Sequence, residues 1–297
     1  MTYETFAVPV LGGELHGGRW APEAPVGPTV LAVHGVTASH RCWLSLANRA
    51  PDLDIVAPDL RGRGRSNGLP GPAGLRQHAD DLARLLDHLA LDRVVVLGHS
   101  MGALASVVFA DLHADRVERL VLVDGGLPLE LLPGMDADQT MEVTLGPALA
   151  RLSMTFPTRE AVQQLWRAHP AFAEGISAAT EDFFDYDLVE TPDGFRSRVN
   201  PELVRDDVRS QLDPGTLTPA LERLRVPATF LWAPRGLLNQ PDPLYPREVA
   251  AHWGARLPLL KVVEVDDVNH YTIIFDDRPL DLIVAELHHP TPTQENE

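Results

Sequence analysis

Residues 94–110, VVVLGHSMGALASVVFA, place a strand pattern, a glycine-rich turn and a helix pattern in direct succession. The β-branched run at 94–96 predicts a buried strand, and the small and apolar residues after Ser100 predict a helix. Between them lies Gly98-His-Ser100-Met-Gly102. This pattern is typical of a strained turn in which the serine projects beyond the edge of a sheet and lies near the N-terminus of a helix. Gly-x-Ser-x-Gly alone is a weak signal, but this context favours a nucleophilic Ser100 over a structural serine.

The composition of the chain is that of a globular protein. Its 297 residues are 44% hydrophobic and 23% charged, which suffices for a full-sized core. The net charge of −17 argues against a nucleic-acid partner and an anionic membrane surface, because phosphate binding needs clustered Lys and Arg. No apolar run reaches the roughly 18 residues of a membrane helix, and no signal peptide is visible. The chain has a single cysteine, Cys42, and so cannot form an internal disulfide. We therefore expect a cytoplasmic protein.

Strand and helix patterns alternate over most of the chain. TFAVPV and GELHGGRW predict a hairpin around the Gly12-Gly13 turn. Further buried strands are predicted at TVLAVHG (29–35), DIVAPDL (54–60), RVVVLG (93–98), RLVLVDG (119–125), ATFLWA (228–233) and KVVEV (261–265). Helices are predicted at 76–90, 245–256 and 278–288 and directly after Ser100. This alternation, with continuously apolar strands, predicts an α/β fold with a mostly parallel sheet covered on both faces.

The alternation stops between Gly125 and about Pro219. This stretch contains AVQQLWRAH and TEDFFDYDLV, which have helical patterns, and no convincing buried strand. A structureless loop of this length is implausible in a compact domain. We therefore predict a core of residues 1–126 and 220–289, a helical cap of residues 127–219 inserted between two core strands, and a disordered tail at 290–297.

Four motifs, HGVTAS, PDLRGRGRS, GHSMGA and VNHY, follow one another in an order and spacing that resembles the α/β-hydrolase fold superfamily. The resemblance covers residues 5–126 and 225–288 and points to the serine-nucleophile, esterase- or lactonase-like branch with a helical cap. It implies an eight-stranded, mostly parallel sheet. Relatives that hydrolyse epoxides or carbon–halogen bonds carry a carboxylate at the position of Ser100, which argues against both of those reactions.

A serine hydroxyl needs a base and a group that orients the base. By resemblance, the base comes from the loop after the last strand, where His270 lies. In the commonest arrangement the acid follows the seventh strand, here ATFLWA. Counting from the end of that strand places the acid at Gly236. Counting back from the start of the next helix places it at Asp242. Some branches place the acid after the sixth strand, where Asp124 lies. We favour Asp124 and keep Asp242 as the alternative.

Acyl transfer also needs N–H donors aimed at the developing oxyanion. By resemblance these are the backbone N–H groups of Val36 and Met101. Thr37 is a candidate substrate contact, and an ordinary loop threonine is the alternative. The substrate contacts predicted in the cap are aromatic, and the alternative is that they form the core of the cap itself: Trp166, Phe183 and Phe184.

These residues together predict a serine hydrolase of the carboxylic ester hydrolase type (EC 3.1.1). It would cleave an ester or lactone of a small to medium, largely apolar substrate through an acyl-enzyme on Ser100. The same triad serves carbon–carbon bond, amide or thioester hydrolysis and perhydrolysis, and the motif does not separate these. A non-catalytic small-molecule binder is the other alternative. We expect no cofactor, metal, nucleic acid or membrane partner, and both a monomer and a homo-oligomer stay open.

Overall fold

The structure, a computed structural model, describes residues 1–129, 131 and 134–289. Within these residues the strands are β1 (Thr2–Val10), β2 (Gly13–Ala21), β3 (Val30–Val33), β4 (Ile55–Pro58), β5 (Val94–His99), β6 (Val117–Val123), β7 (Leu188–Thr191), β8 (Gly194–Ser197), β9 (Ala228–Trp232) and β10 (Leu260–Glu264). Eight of them form a sheet in the order β1-β2-β4-β3-β5-β6-β9-β10. β2 is antiparallel to β1 and β4, and the other neighbours are parallel. The predicted mostly parallel eight-stranded sheet is confirmed.

Helices cover both faces of this sheet. The described helices are α1 (Leu44–Arg49), α2 (Leu75–His88), α3 (Met101–Leu112), α4 (Ala137–Leu152), α5 (Arg159–Arg167), α6 (Ala178–Tyr186), α7 (Pro201–Gln211), α8 (Leu217–Glu222), α9 (Arg247–Arg256) and α10 (Asp277–His288). Helices α2, α3, α8 and α9 share a hydrophobic cluster with one sheet face, and α1 and α10 share one with the other. Val94 and Val96 belong to the first cluster and Val95 and Leu97 to the second, because successive strand residues point to opposite faces. Burial on both faces explains why β5 is apolar at consecutive positions.

The chain between β6 and β9 forms α4 to α8 and an antiparallel hairpin of β7 and β8. No strand was predicted from the sequence at this hairpin. Each of its strands has four residues, and Leu188 and Ser197 are the buried positions, so neither strand carries an apolar run that could reveal it. Helix α8 packs against α3. The predicted cap of residues 127–219 spans most of this region, and its bounds stay a prediction.

This fold does not decide whether the tail is disordered, where the protein is located or how many copies assemble. The tail predicted to be disordered, residues 290–297, lies outside the described residues. In the part of the chain that the structure describes, no helix combines the length and the hydropathy needed to cross a bilayer. The cytoplasmic location and the oligomeric state stay predictions.

Candidate active site

Ser100 lies in the sharp turn between β5 and α3. Its φ of 54° and ψ of −126° belong to a region that L-residues rarely occupy. The Ser100 N–H donates to the Val123 carbonyl at 3.0 Å, which ties the turn to the end of β6. The backbone therefore holds the Ser100 side chain at the carboxyl edge of the sheet, where the neighbouring parallel strands also end.

The turn requires small residues because three backbone segments meet there. A Cβ at Gly102 would collide with the carbonyl oxygens of Val33 and His34 at the end of β3. A Cβ at Gly98 would lie 2.5 Å from the Cα of Ala103. The glycines of Gly-x-Ser-x-Gly thus let the start of α3 approach the sheet closely enough to present Ser100.

This crowding predicts the effect of Gly102→Ala. The added methyl group meets backbone atoms that cannot rotate away, so we expect the free energy of unfolding to fall by about 1–3 kcal/mol. The matched control is Gly68→Ala, because a Cβ at Gly68 meets no described atom within 4 Å. Urea unfolding of both variants measures the difference, and equal stabilities would contradict close approach at the turn.

Three side chains from distant parts of the sequence form a hydrogen-bonded chain at this edge. His270 Nε2 lies 3.1 Å from Ser100 Oγ, and His270 Nδ1 lies 2.6 Å from Asp124 Oδ2. Asp124 directly follows β6, and His270 lies in the loop after β10. Of the two candidate acids, the structure therefore brings Asp124 to His270.

Backbone contacts orient both partners of Ser100. Asp124 is fully buried, and its second oxygen, Oδ1, accepts the Ala233 N–H at 3.0 Å. Asn269 Oδ1 accepts the N–H groups of Tyr271 and Thr272, at 2.9 and 3.0 Å, which shapes the loop that carries His270. Since both carboxylate oxygens of Asp124 have a partner, its side chain has little freedom to leave His270.

Asp242, the alternative acid, is not in hydrogen-bond contact with His270. It is exposed and lines the cavity in front of Ser100, with no hydrogen bond to His270 in the described part of the chain. By resemblance, the commonest acid position after β9 falls on Gly236. A Cβ at Gly236 would collide with the Gln240 side chain and the Asp242 backbone. The loop folds back on itself, as the Gly236 N–H to Gln240 carbonyl bond of 3.0 Å shows. This turn leaves Asp242 away from the histidine.

His99, the residue before Ser100, is hydrogen-bonded to the backbone of His270. Its Nε2 donates to the His270 carbonyl at 2.9 Å, and the two rings lie 4.8 Å apart. Burial, reinforced by the nearby His270, holds the pKa of His99 well below its usual value. A neutral His99 can donate this bond without placing a second positive charge beside His270.

The two predicted oxyanion donors lie in chain segments next to Ser100. A Cβ at Gly35 would be only 3.2 Å from the Ser100 Cβ, so the loop carrying Val36 runs directly past the serine. Met101 is the first residue of α3. In the described part of the chain neither the Val36 nor the Met101 N–H has a hydrogen-bond partner. Two unused backbone donors beside a serine are what an oxyanion site requires.

A buried charge network fixes the Val36 loop. Arg63 Nε donates to the Val36 carbonyl at 2.8 Å, and the Arg63 guanidinium pairs with Asp207 on α7. His78 Nε2 lies 2.9 Å from the same carboxylate. Burial raises the pKa of Asp207, but the charge of Arg63 and the contact with His78 outweigh it and lower that pKa to about 2. Helix α7 is thereby coupled to the loop beside Ser100.

Ser100 opens into a cavity of about 730 Å³ between the sheet edge and helices α4, α5 and α7. Val36, Trp166 and His270 line both this cavity and an adjoining space of about 50 Å³. Of the predicted substrate contacts, Thr37 and both cap phenylalanines line the smaller space. The same aromatic residues are buried and pack on one another, since the Trp166 ring stacks on Phe184 at 4.0 Å and the Phe183 and Phe184 rings lie 5.1 Å apart. These side chains thus line the cavity and pack on one another, and their contact with a substrate stays a prediction.

Several polar residues of this site were not predicted from the sequence. Arg151 on α4 and Tyr271 line both spaces, and His169 lines the larger one. For Tyr271, its place beside His270 in VNHY was an available signal; for Arg151 and His169 there was none. In the described residues no group of three or more His, Cys, Asp or Glu side chains is arranged to hold a metal ion.

The strand order, the helices on both faces and the serine turn after β5 define the architecture of an α/β hydrolase. The family model described as "Alpha/beta hydrolase family" matches residues 30–286, and the chain belongs to this family. The resemblance that the motifs indicated is thereby confirmed.

Individual relatives are similar over part of the chain. Lipase LipV of Mycobacterium tuberculosis is 39% identical over 117 residues, which are 39% of this chain and 44% of the relative. The 2-hydroxy-6-oxo-2,4-heptadienoate hydrolase of Pseudomonas putida is 36% identical over 119 residues, 37% of this chain and 42% of that protein. The chain thus spans less than half the length of these curated relatives.

A solved structure is similar over nearly the whole chain. The crystal structure of E-2-(acetamidomethylene)succinate hydrolase superposes with a TM-score of 0.77 over 96% of this chain and 98% of that one. The two sequences are 22% identical, so this likeness shows the fold alone.

Proposed function

We propose that this protein is a serine hydrolase that forms an acyl-enzyme on Ser100. The observation that carries the proposal is the hydrogen-bonded chain from Asp124 through His270 to Ser100. Neutral serine is a weak nucleophile, and a histidine within hydrogen-bond reach removes its proton as it attacks. A protein that only binds small molecules has no use for this arrangement next to two unused backbone donors.

The proposed reaction has two halves. Ser100 Oγ attacks the carbonyl carbon while its proton passes to His270 Nε2, and the Val36 and Met101 N–H groups bind the resulting oxyanion. As the tetrahedral intermediate collapses, His270 protonates the leaving group and the acyl-enzyme remains. His270 then takes a proton from water, the hydroxide attacks the acyl carbon, and Ser100 leaves with its proton restored. Asp124 holds His270 Nδ1–H throughout and stabilises the imidazolium. Apart from the substrate and water, this chemistry uses only groups of the chain itself.

We propose an ester or lactone as the substrate, with a small to medium, largely apolar body, and hence carboxylic ester hydrolase activity of the EC 3.1.1 type. The cavity of about 730 Å³ supports this size, and its wall is mainly aliphatic, including Leu129, Val143, Leu145, Leu212 and Val249. The name of the related lipase agrees with an ester. Carbon–carbon, amide and thioester bonds and perhydrolysis remain chemical alternatives for the same triad, and a substrate panel separates them.

Labelling with a fluorophosphonate probe tests the proposed nucleophile. We expect one phosphonyl adduct on the folded chain, located at Ser100 by mass spectrometry, and no adduct after heat denaturation, because His270 activates only the folded site. The matched control is Ser106→Ala on the same helix, where the serine hydroxyl donates to the Gly102 carbonyl at 2.6 Å. This variant should label like the wild type. A folded chain that stays unlabelled would refute the proposed activity.

A further inference from the structure

Three polar side chains surround Trp166 in the wall of the large cavity. The Arg151 Cζ lies 4.8 Å from the centroid of the Trp166 ring, and the His169 and Tyr271 rings lie 5.5 and 6.3 Å from it. They come from α4, from the turn after α5 and from the loop of His270. Among the described residues that line the cavity, Arg151 is the one Arg or Lys. We call Arg151, His169 and Tyr271 the Trp166 polar cluster.

Arg151 has more donor capacity than its protein partner uses. Its side chain is 12% exposed, and its ion pair with Asp187 is long, at 3.6 Å. The same Asp187 oxygen already accepts the Ser197 hydroxyl at 2.7 Å. A guanidinium carries five N–H donors in a planar fork that matches a carboxylate. Because Arg151 lines both spaces beside Ser100, its remaining N–H groups are available to a ligand there.

The other two members also act as donors. His169 Nδ1 accepts the Ala171 N–H at 3.2 Å, which leaves Nε2 as the protonated nitrogen of the neutral ring. Burial and the charge of Arg151 lower the pKa of His169, so the neutral ring prevails near pH 7. Burial raises the pKa of Tyr271 more than Arg151 lowers it, so its hydroxyl keeps its proton. In the described part of the chain that hydroxyl has no hydrogen-bond partner.

We propose that the Trp166 polar cluster binds a carboxylate of the substrate, so that the preferred esters or lactones carry a free carboxylate group. Three side chains with N–H or O–H donors, one of them a permanent cation, lie around the same Trp166 ring, and the long ion pair with Asp187 does not use all the donors of Arg151. Two carboxylates also line these spaces: Asp187 lines the smaller one and pairs with Arg151, and the exposed Asp242 lines the larger one, where water and salt screen its charge.

The position of the cluster also limits the length of the substrate. Tyr271 directly follows His270, and the two rings lie 5.8 Å apart. A carboxylate bound here would therefore lie only a few bonds from the carbonyl that Ser100 attacks. The apolar remainder of the cavity then holds the rest of the substrate. This inference rests on the proposed hydrolase function, and it refines the substrate class within it.

A pair of chromogenic esters tests the charge preference. p-Nitrophenyl hydrogen glutarate carries a free carboxylate, and p-nitrophenyl methyl glutarate is its neutral counterpart. We expect the wild type to favour the charged ester in kcat/KM. In Arg151→Gln that preference should fall by about tenfold to a hundredfold, the range expected for losing a charged hydrogen bond. Arg167→Gln is the matched control, because this cap arginine pairs with Glu160 and Glu181 at the surface and should leave the preference unchanged.

Tyr271→Phe gives a second test that keeps the ring and removes only the hydroxyl. The preference should fall by about threefold to tenfold. A wild type without charge preference, or a preference that neither variant changes, overturns the carboxylate site while ester hydrolysis stands. Calorimetric binding of monomethyl glutarate adds a readout without turnover, and we expect Arg151→Gln to weaken it. If neither ester is hydrolysed and Ser100 is not labelled, the proposed function itself fails, whereas bound monomethyl glutarate would still support the carboxylate site.

Discussion

Replacing Ser100 with alanine should lower kcat on any hydrolysed ester by about 10⁴-fold to 10⁶-fold. Removal of the nucleophile abolishes the covalent route, and the residual rate comes from the oxyanion site and substrate binding alone. KM should change little, since the hydroxyl contributes to the transition state more than to ground-state binding. Steady-state kinetics on the best ester of a substrate panel measures both constants.

Two comparisons make this result specific to Ser100. Ser106→Ala removes a nearby buried hydroxyl, on α3, and should retain wild-type turnover. Urea unfolding should show Ser100→Ala to be at least as stable as the wild type, because within the described residues the Ser100 hydroxyl has no hydrogen bond other than that to His270. A folded Ser100→Ala that turns over at the wild-type rate would show that Ser100 is not the nucleophile.

Replacing Asp124 with asparagine should lower kcat by about 10⁴-fold. The carboxylate accepts the His270 Nδ1–H at 2.6 Å and so leaves Nε2 free to take the serine proton. An amide at this place can donate to Nδ1 and stabilise the opposite tautomer, which cannot accept that proton. It also removes the negative charge that stabilises the imidazolium. Kinetics at several pH values should show the loss throughout the neutral range.

Asp242→Asn is the matched comparison for Asp124→Asn. It makes the same chemical change in a residue that lines the same cavity, but outside hydrogen-bond contact with His270. We expect Asp242→Asn to retain most of the activity. If Asp242→Asn abolished turnover and Asp124→Asn did not, the acid would have to reach His270 through a rearranged 236–242 loop.

Much of this architecture could be predicted because its signals are local. The strands of the sheet are short apolar runs, and α3 follows β5 without a linker, so the sequence pattern alone predicts where they lie. The glycines at 98 and 102 report backbone crowding directly, since no other residue fits there. The strands of the β7–β8 hairpin could not be predicted in this way, because they are short and only partly buried.

The choice between the two candidate acids shows where local signals end. Asp124 and Asp242 both follow a core strand, and both have turn residues around them. What separates them is the path of the 236–242 loop, which closes on itself through the Gly236–Gln240 bond and leaves Asp242 outside hydrogen-bond contact with His270. No sequence period encodes the path of such a loop.

The sequence by itself determined the sheet, the serine turn and the candidate base, because each depends on the spacing of apolar residues and glycines or on the order of motifs along the chain. Only the tertiary structure brought Asp124 rather than Asp242 to His270, and only it gathered Arg151, His169 and Tyr271 around Trp166. The physical reason is that these contacts join residues far apart in the chain. Their meeting depends on how the cap and the loops pack onto the sheet, and local patterns carry no record of that packing.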